Sequence, residues 1–350
     1  MIRHLVLLAA ATVALGACTS DRPTSPRRVT RPDELLAVQS GGAAGSDGLW
    51  IYTLGDSVRR RRAVPAPLNG GDGSWSPDGE RLAVFAKVDG DTNIFAGDIY
   101  AIGADGSGLL RLTTYPASGG NPVWSPDGTR IAFGSYRDGN SEVYVMRADG
   151  TEQTRLTFSD EIDGGASWSA DGSRIIFDSY RDGNSEVYSV RTDGTGLVNL
   201  TNNPATDFGA HVQPNGTRLV FSSRRSGPTE QYVMNLDGSG LLSLGRGLRG
   251  EWSPTGSYVT FESSRTGDTE IYAVYPDNLA AGLRRLTNSA GDDEQARPSP
   301  DGRMVAFVSN RNRSYRDLYV MRFDGSNVRR LTNGASTLPI AWRPRPATRR

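Results

Sequence analysis

Ser135-Tyr-Arg-Asp-Gly-Asn-Ser-Glu-Val-Tyr144 returns letter for letter as Ser179-Tyr-Arg-Asp-Gly-Asn-Ser-Glu-Val-Tyr188, 44 residues further on. Both copies sit in one frame: Trp-Ser-x-Asp-Gly, then Arg-Ile-x-Phe, then the shared decapeptide, then Asp-Gly-Thr and Leu-Thr. Self-similarity at a fixed period of this length marks a repeat architecture, in which each unit buries its apolar surface only against its neighbours. Arg130-Ile-Ala-Phe133 and Arg174-Ile-Ile-Phe177 are short apolar runs without alternation, as expected of strands covered on both faces. Glu142-Val-Tyr-Val145 and Glu186-Val-Tyr-Ser189 are β-rich and equally short. Pro126-Asp-Gly128, Asp138-Gly-Asn140 and Asp149-Gly150 punctuate the corners between them. The frame therefore reads as four antiparallel strands, a to d, joined by three tight turns, which is one blade of a β-propeller.

Working outward, six such units follow one another. Their a–b corners place glycine at 79, 128, 172, 216, 256 and 302, and their c strands place Tyr100, Tyr144, Tyr188, Tyr232, Tyr272 and Tyr319. Before them, Glu34–Val38, Leu49–Thr53 and Arg59–Val64 read as strands b, c and d without a convincing strand a. After them, Leu338-Pro-Ile-Ala-Trp-Arg-Pro344 reads as a strand a with nothing to follow it but a basic tail, 345–350. Together the two ends complete one blade, which removes the open sheet edges a ring would otherwise expose. The expectation is an all-β propeller of seven four-stranded antiparallel blades over residues 33–344. Six blades result if the N-terminal strands pack outside the ring.

Composition narrows the function. The chain has 350 residues, 39 basic and 39 acidic side chains and no net charge, so nothing in its electrostatics argues for nucleic acid as a partner. Cys18 is its only cysteine and His4 and His211 its only histidines, which removes internal disulfides and leaves multi-histidine metal sites without ligands. No metal or cofactor is expected. Residues 1–17 read as a signal peptide, with Arg3 in front of an apolar stretch, Leu5–Leu15, that is short for a membrane span. Leu15-Gly16-Ala17-Cys18 resembles the lipobox of bacterial lipoproteins, which implies lipidation at Cys18. Thr19 stands where inner-membrane retention favours Asp, so the resemblance leans towards the outer membrane. Residues 18–32 form a polar, Pro-rich tether with a reach of at most ~40 Å.

The repeat Trp-Ser-Pro-Asp-Gly-x-Arg-Ile-Ala-Phe…Arg-Asp-Gly-Asn-x-Glu-Val-Tyr-Val-Met…Asp-Gly…Leu-Thr resembles that of the TolB-type propellers, and of the propellers attached to prolyl-oligopeptidase-like peptidases. The resemblance covers residues 33–344 and speaks to fold more strongly than to function. TolB carries an extra N-terminal domain where this chain has a tether. The peptidases keep their nucleophile in an α/β domain, and no Gly-x-Ser-x-Gly occurs here.

Alternation of strand direction puts a–b and c–d turns on one face of the disc and b–c turns and d-to-a connections on the other. The second face is the more varied. There Arg137, Arg181, Arg225, Arg265 and Arg311 precede Glu142, Glu186, Glu230, Glu270 and Asp317 across the b–c turns, reading as a repeated cross-strand ion pair. Asp163, Asp207 and Asp293 recur five residues before the strand-a Trp position, outside the expected strands. They read as turn caps or as an acidic arc at the channel mouth. One residue before that Trp position stand His211, Glu251 and Arg297 on three consecutive blades, where alternation points them to the channel. They could bind a small anion, do acid–base work or satisfy one another. The candidate binding residues are thus Asp163, Asp207, Asp293, His211, Glu251 and Arg297, with no catalytic residue assigned. The reading is a monomeric, lipid-anchored envelope scaffold, facing periplasm or surface, that takes an envelope protein or small ligand on the b–c/d–a face. A glycan lyase or glycosidase and an accessory sensor module are the alternatives.

Overall fold

Ser125 shows why the repeat begins as it does. Its hydroxyl donates to Asp127 Oδ1 (2.5 Å) and accepts the N–H of Arg130 (2.9 Å), while Asp127 Oδ1 also takes the N–H of Thr129 (3.0 Å). Gly128, at φ 71°, closes the corner in a conformation other residues resist. Ser76 with Asp78, Ser169 with Asp171 and Ser299 with Asp301 repeat the same corner. These hydroxyl and N–H donors hold the Asp127 carboxyl below its ordinary range, with Ser125 the largest cause.

The computed structural model describes residues 33–40, 47–88, 97–114, 120–312, 315–334 and 336–345, all within the unit 32–350. Cys18 and the expected signal peptide and tether lie outside the described residues, as do residues 346–350. The described strands form seven four-stranded antiparallel sheets in a ring, with one 3-10 turn, Leu279–Ala281. No described helix is long and apolar enough to cross a membrane. Blade 1 is built from both ends: strand a is Ser336–Trp342, followed by Asp33–Ser40, Gly48–Leu54 and Arg59–Arg62. The remaining strands a are Leu68–Trp75, Val123–Trp124, Asp163–Trp168, Asp207–Val212, Leu248–Trp252 and Asp293–Pro298, opening blades 2 to 7 in chain order.

Ring closure is antiparallel, with Leu35 opposite Trp342, Leu36 opposite Ala341 and, past a bulge, Val38 opposite Leu338. Trp342 Nε1 donates to Arg297 O of blade 7 (2.7 Å), as Trp168 Nε1 donates to Val123 O of the preceding blade (2.9 Å). The closing strand thus repeats an interblade contact made elsewhere in the ring.

The core lies between blades. Ala132, Val143 and Val145 of blade 3 pack on Trp168, Ile175, Phe177 and Tyr188 of blade 4. Each fully buried aromatic of this kind is worth roughly 1.5–3 kcal/mol. The strand-b Phe and strand-c Tyr of one blade lie side by side, as Phe133 and Tyr144 (5.6 Å) and Phe307 and Tyr319 (5.6 Å) do. The arginine of the b–c turn covers each pair, with Arg311 4.8 Å from the Tyr319 ring.

Candidate functional site

The b–c arginines and strand-c carboxylates do not pair with each other as the spacing suggests. Arg181 Nη2 reaches back to Asp163 (2.7 Å), Arg225 to Asp207 (2.7 Å) and Arg311 to Asp293 (3.0 Å). Three of the strand-c carboxylates take strand-d arginines instead: Glu142 with Arg155 (2.7 Å), Glu270 with Arg285 (2.7 Å), and Asp317 with Arg330. The Leu-Thr that follows each of these arginines completes that site. Glu142 accepts the Thr157 hydroxyl (2.5 Å) and the N–H of Ser159 (3.0 Å), and Asp98, with Arg111 and Thr113, repeats the arrangement. The recurring Arg-Leu-Thr at 111–113, 155–157, 285–287 and 330–332 is the sequence signal for it.

The expected acidic arc is corrected in the same way. Asp163, Asp207 and Asp293 are the first residues of their strands a, not turn residues outside them, and all three are 0% exposed. Burial pushes their carboxyl pKa values up, against hydrogen bonds from Ser179, Ser223 and Ser309 and the facing arginines. They present no charge at the channel mouth; they neutralise the arginines that clamp the b–c turns.

His211, Glu251 and Arg297 do converge. Glu251 Oε2 lies 3.2 Å from Arg297 Nη1 and 3.8 Å from His211 Nδ1. The His211 side chain is 45% exposed, and Glu251 and Arg297 about a quarter. They line a recess of about 370 Å³ with Pro254, Pro300 and Trp342. Pro254 and Pro300 belong to a–b corners, so this mouth opens on the a–b/c–d face, opposite the face expected to bind. Of the six candidate residues, three are buried and three stand at the other mouth.

Two further carboxylates, both with pKa values pushed up by burial, carry no mark in the sequence. Asp178 follows the strand-b Phe177, a position held by Gly134, Ser222 and Val308 in three other blades and by a second buried carboxylate, Glu262, in blade 6. Its Oδ2 accepts the Gly209 N–H (2.8 Å), while Oδ1 is sealed from solvent without a hydrogen-bond partner among the described residues. Burial pushes its pKa up to about 7, opposed by the N–H groups of Gly209 and Ala210. Asp72 is pushed up to about 6 by burial, opposed by the N–H groups of Gly73 and Asn121 and by Arg297. Because neither position is acidic throughout the repeat, only the folded ring reveals these environments. Among the described residues no three His, Cys, Asp or Glu side chains stand where they could hold one metal ion.

Seven such blades closed by the last strand define the class: a seven-bladed β-propeller. Residues 44–180 match the family described as TolB beta propeller domain. Within the class, the chain is similar to the TolB propellers. A putative TolB from Agrobacterium tumefaciens is similar at 24% identity and TM-score 0.51, over 66% of this chain and 94% of that one. TolB from Acinetobacter baumannii is similar at 19% identity and TM-score 0.58, over 88% and 82%. The oligogalacturonate lyase from Vibrio parahaemolyticus shares the fold at 13% identity and TM-score 0.61, over 87% and 86%. No curated protein matches the chain.

Proposed function

We propose that this chain is a cell-envelope propeller, anchored through a lipidated Cys18, that works as a non-catalytic protein-binding scaffold. The observation that carries the reading is the accessible recess into which three blades deliver His211, Glu251 and Arg297. Glu251 there is engaged by its two neighbours, and proline corners form stiff walls around them. Such groups on a rigid frame suit recognition of a partner's polar side chains. The likeness to TolB propellers supports the same reading at the level of fold.

The test is affinity purification of the crosslinked full-length protein from membranes, with wild type and the His211→Ala/Arg297→Ala variant. A discrete envelope protein recovered with wild type and lost with the variant is expected. The same proteins in equal yield from both would rule the recess out as the binding site. Convergence of a histidine and a carboxylate is also the observation that favours the alternative, a glycan lyase or glycosidase. Release of unsaturated or reducing ends from oligogalacturonides by wild type, abolished by Glu251→Gln, would replace the scaffold reading with that one.

A further inference from the structure

The connection from blade 3 to blade 4, on the b–c/d–a face, carries a surface that the candidate site does not use. Phe158 is 73% exposed and Ile162 48% exposed, and Ile162 O accepts the N–H of Tyr180, itself 48% exposed. These side chains do not hang from a loose loop. Asn140 Nδ2 donates to Ser159 O and Glu161 O (2.8 Å each), the Ser159 N–H is held by the buried Glu142, and the Asp163 N–H by Ser141 O. The next connection has the same frame. Asn184 Nδ2 donates to Asn203 O (3.0 Å) and Ala205 O (2.9 Å), and the Asn203 N–H goes to Glu186. In that frame Asn202 occupies the place of Phe158 and Thr206 that of Ile162, and later blades put Asn288 and Asn333 where Phe158 stands. The fold therefore runs on asparagine at this position and does not ask for an exposed aromatic. Exposed apolar groups gathered on a rigid frame mark interaction sites.

Charge indicates the occupant. Between the two apolar side chains stand Asp160 and Glu161, both exposed and without an ion pair among the described residues. The nearby arginines are already engaged: Arg155 by Glu142 with its guanidinium 4.7 Å from the Phe158 ring, and Arg181 by Asp163. The open valence of the patch is thus apolar plus negative. We infer that Phe158, Ile162 and Tyr180, with Asp160 and Glu161, form a docking site for a partner segment that carries a large apolar side chain flanked by lysine or arginine. This rests on the scaffold reading and adds to it the kind of partner and the face it approaches. Burial of the apolar side chain supplies affinity, and the acidic pair supplies association rate and selection against acidic segments.

The probe is a displayed library of random 12-residue peptides, selected on the wild-type protein. The selected peptides are measured against Phe158→Asn/Ile162→Thr, which installs the chain's own residues from the next connection and so preserves the fold. They are also measured against Asp160→Asn/Glu161→Gln and His211→Ala/Arg297→Ala. Expected are peptides with an aromatic or aliphatic residue beside Lys or Arg. They should bind the Phe158/Ile162 variant at least tenfold more weakly at unchanged melting temperature, and the Asp160/Glu161 variant with reduced dependence on salt. Peptides that bind the Phe158/Ile162 variant like wild type but lose the His211/Arg297 variant would overturn the patch and leave the scaffold standing. Failure to select any peptide would count against both. Wild-type dimerisation abolished by the Phe158/Ile162 variant would assign the patch to a second copy of the chain and overturn the proposal.

Discussion

At the scale of single residues, burial raises the pKa of both Asp178 and Asp163, and the two differ in what depends on them. Asp178 titrates at about 7 in the fold against an ordinary 3.8, so the native state holds its proton more tightly than the unfolded chain. The stabilisation this gives is complete below about pH 4 and is lost as pH rises through 7. A tenfold difference in proton affinity between the two states is worth ~1.4 kcal/mol. Asp178→Asn should therefore melt at a higher temperature than wild type at pH 8 and close to it at pH 5, as read by thermal scans at both pH values. Asp163 behaves differently on substitution, because Arg181 depends on it. Asp163→Asn leaves a half-buried guanidinium facing no charge and should cost about 3 kcal/mol in urea unfolding. Adding Arg181→Gln should recover part of that loss. Reversal to Asp163→Arg should prevent folding, since it places two guanidinium groups in one buried site.

At the scale of the element, strands b to d and the corners are legible in the sequence because each follows from local chemistry repeated many times. Trp-Ser-x-Asp-Gly folds its corner within five residues, so the motif alone contains the turn. The same corners fix the acid response: Ser and backbone N–H donors depress Asp127 and Asp171, so their contribution is lost as pH falls below the ordinary carboxylate range. Asp127→Ala removes three hydrogen bonds and should lower stability at pH 7 by roughly 1–2 kcal/mol, an effect that should shrink near pH 3 when both proteins are melted there. The ion pairs are not legible in the same way, because spacing along the chain shows which residues flank a turn but not how far a guanidinium reaches across strands. Arg181 spans to strand a, 18 residues back, and Arg155 stands on strand d, 13 residues past Glu142. The buried aspartates are hidden for a related reason. At Asp163 the strand begins several residues before its apolar run, so a polar residue inside it looks like part of the loop.

At the scale of the whole molecule, seven blades rather than six follows from the pairing of 33–40 with 336–342. Deleting 336–345 strips blade 1 of strand a, exposes the edge of 33–40 and uncovers the face of blade 7 on which Trp342 packs. It should lower the melting temperature and produce oligomers visible on size-exclusion chromatography; a monomer with an unchanged melt would count against that role. The anchor is checked at the same scale by Cys18→Ser, which should abolish radiolabelled-palmitate incorporation and move the protein to the soluble fraction. Closure also has a consequence in time. The partners in the closing pair are separated by about three hundred residues, whereas every other blade pairs strands that are near neighbours in sequence. Contacts of such separation form slowly. Six blades can therefore assemble in order from local hairpins while blade 1 waits as a three-stranded sheet, and sealing it becomes the last and slowest event of folding. A chain emerging in order from a ribosome or a translocation channel carries its latch at the rear. For that interval strand 33–40 is an open template, and the cell must deliver the final strand before a neighbouring chain occupies it.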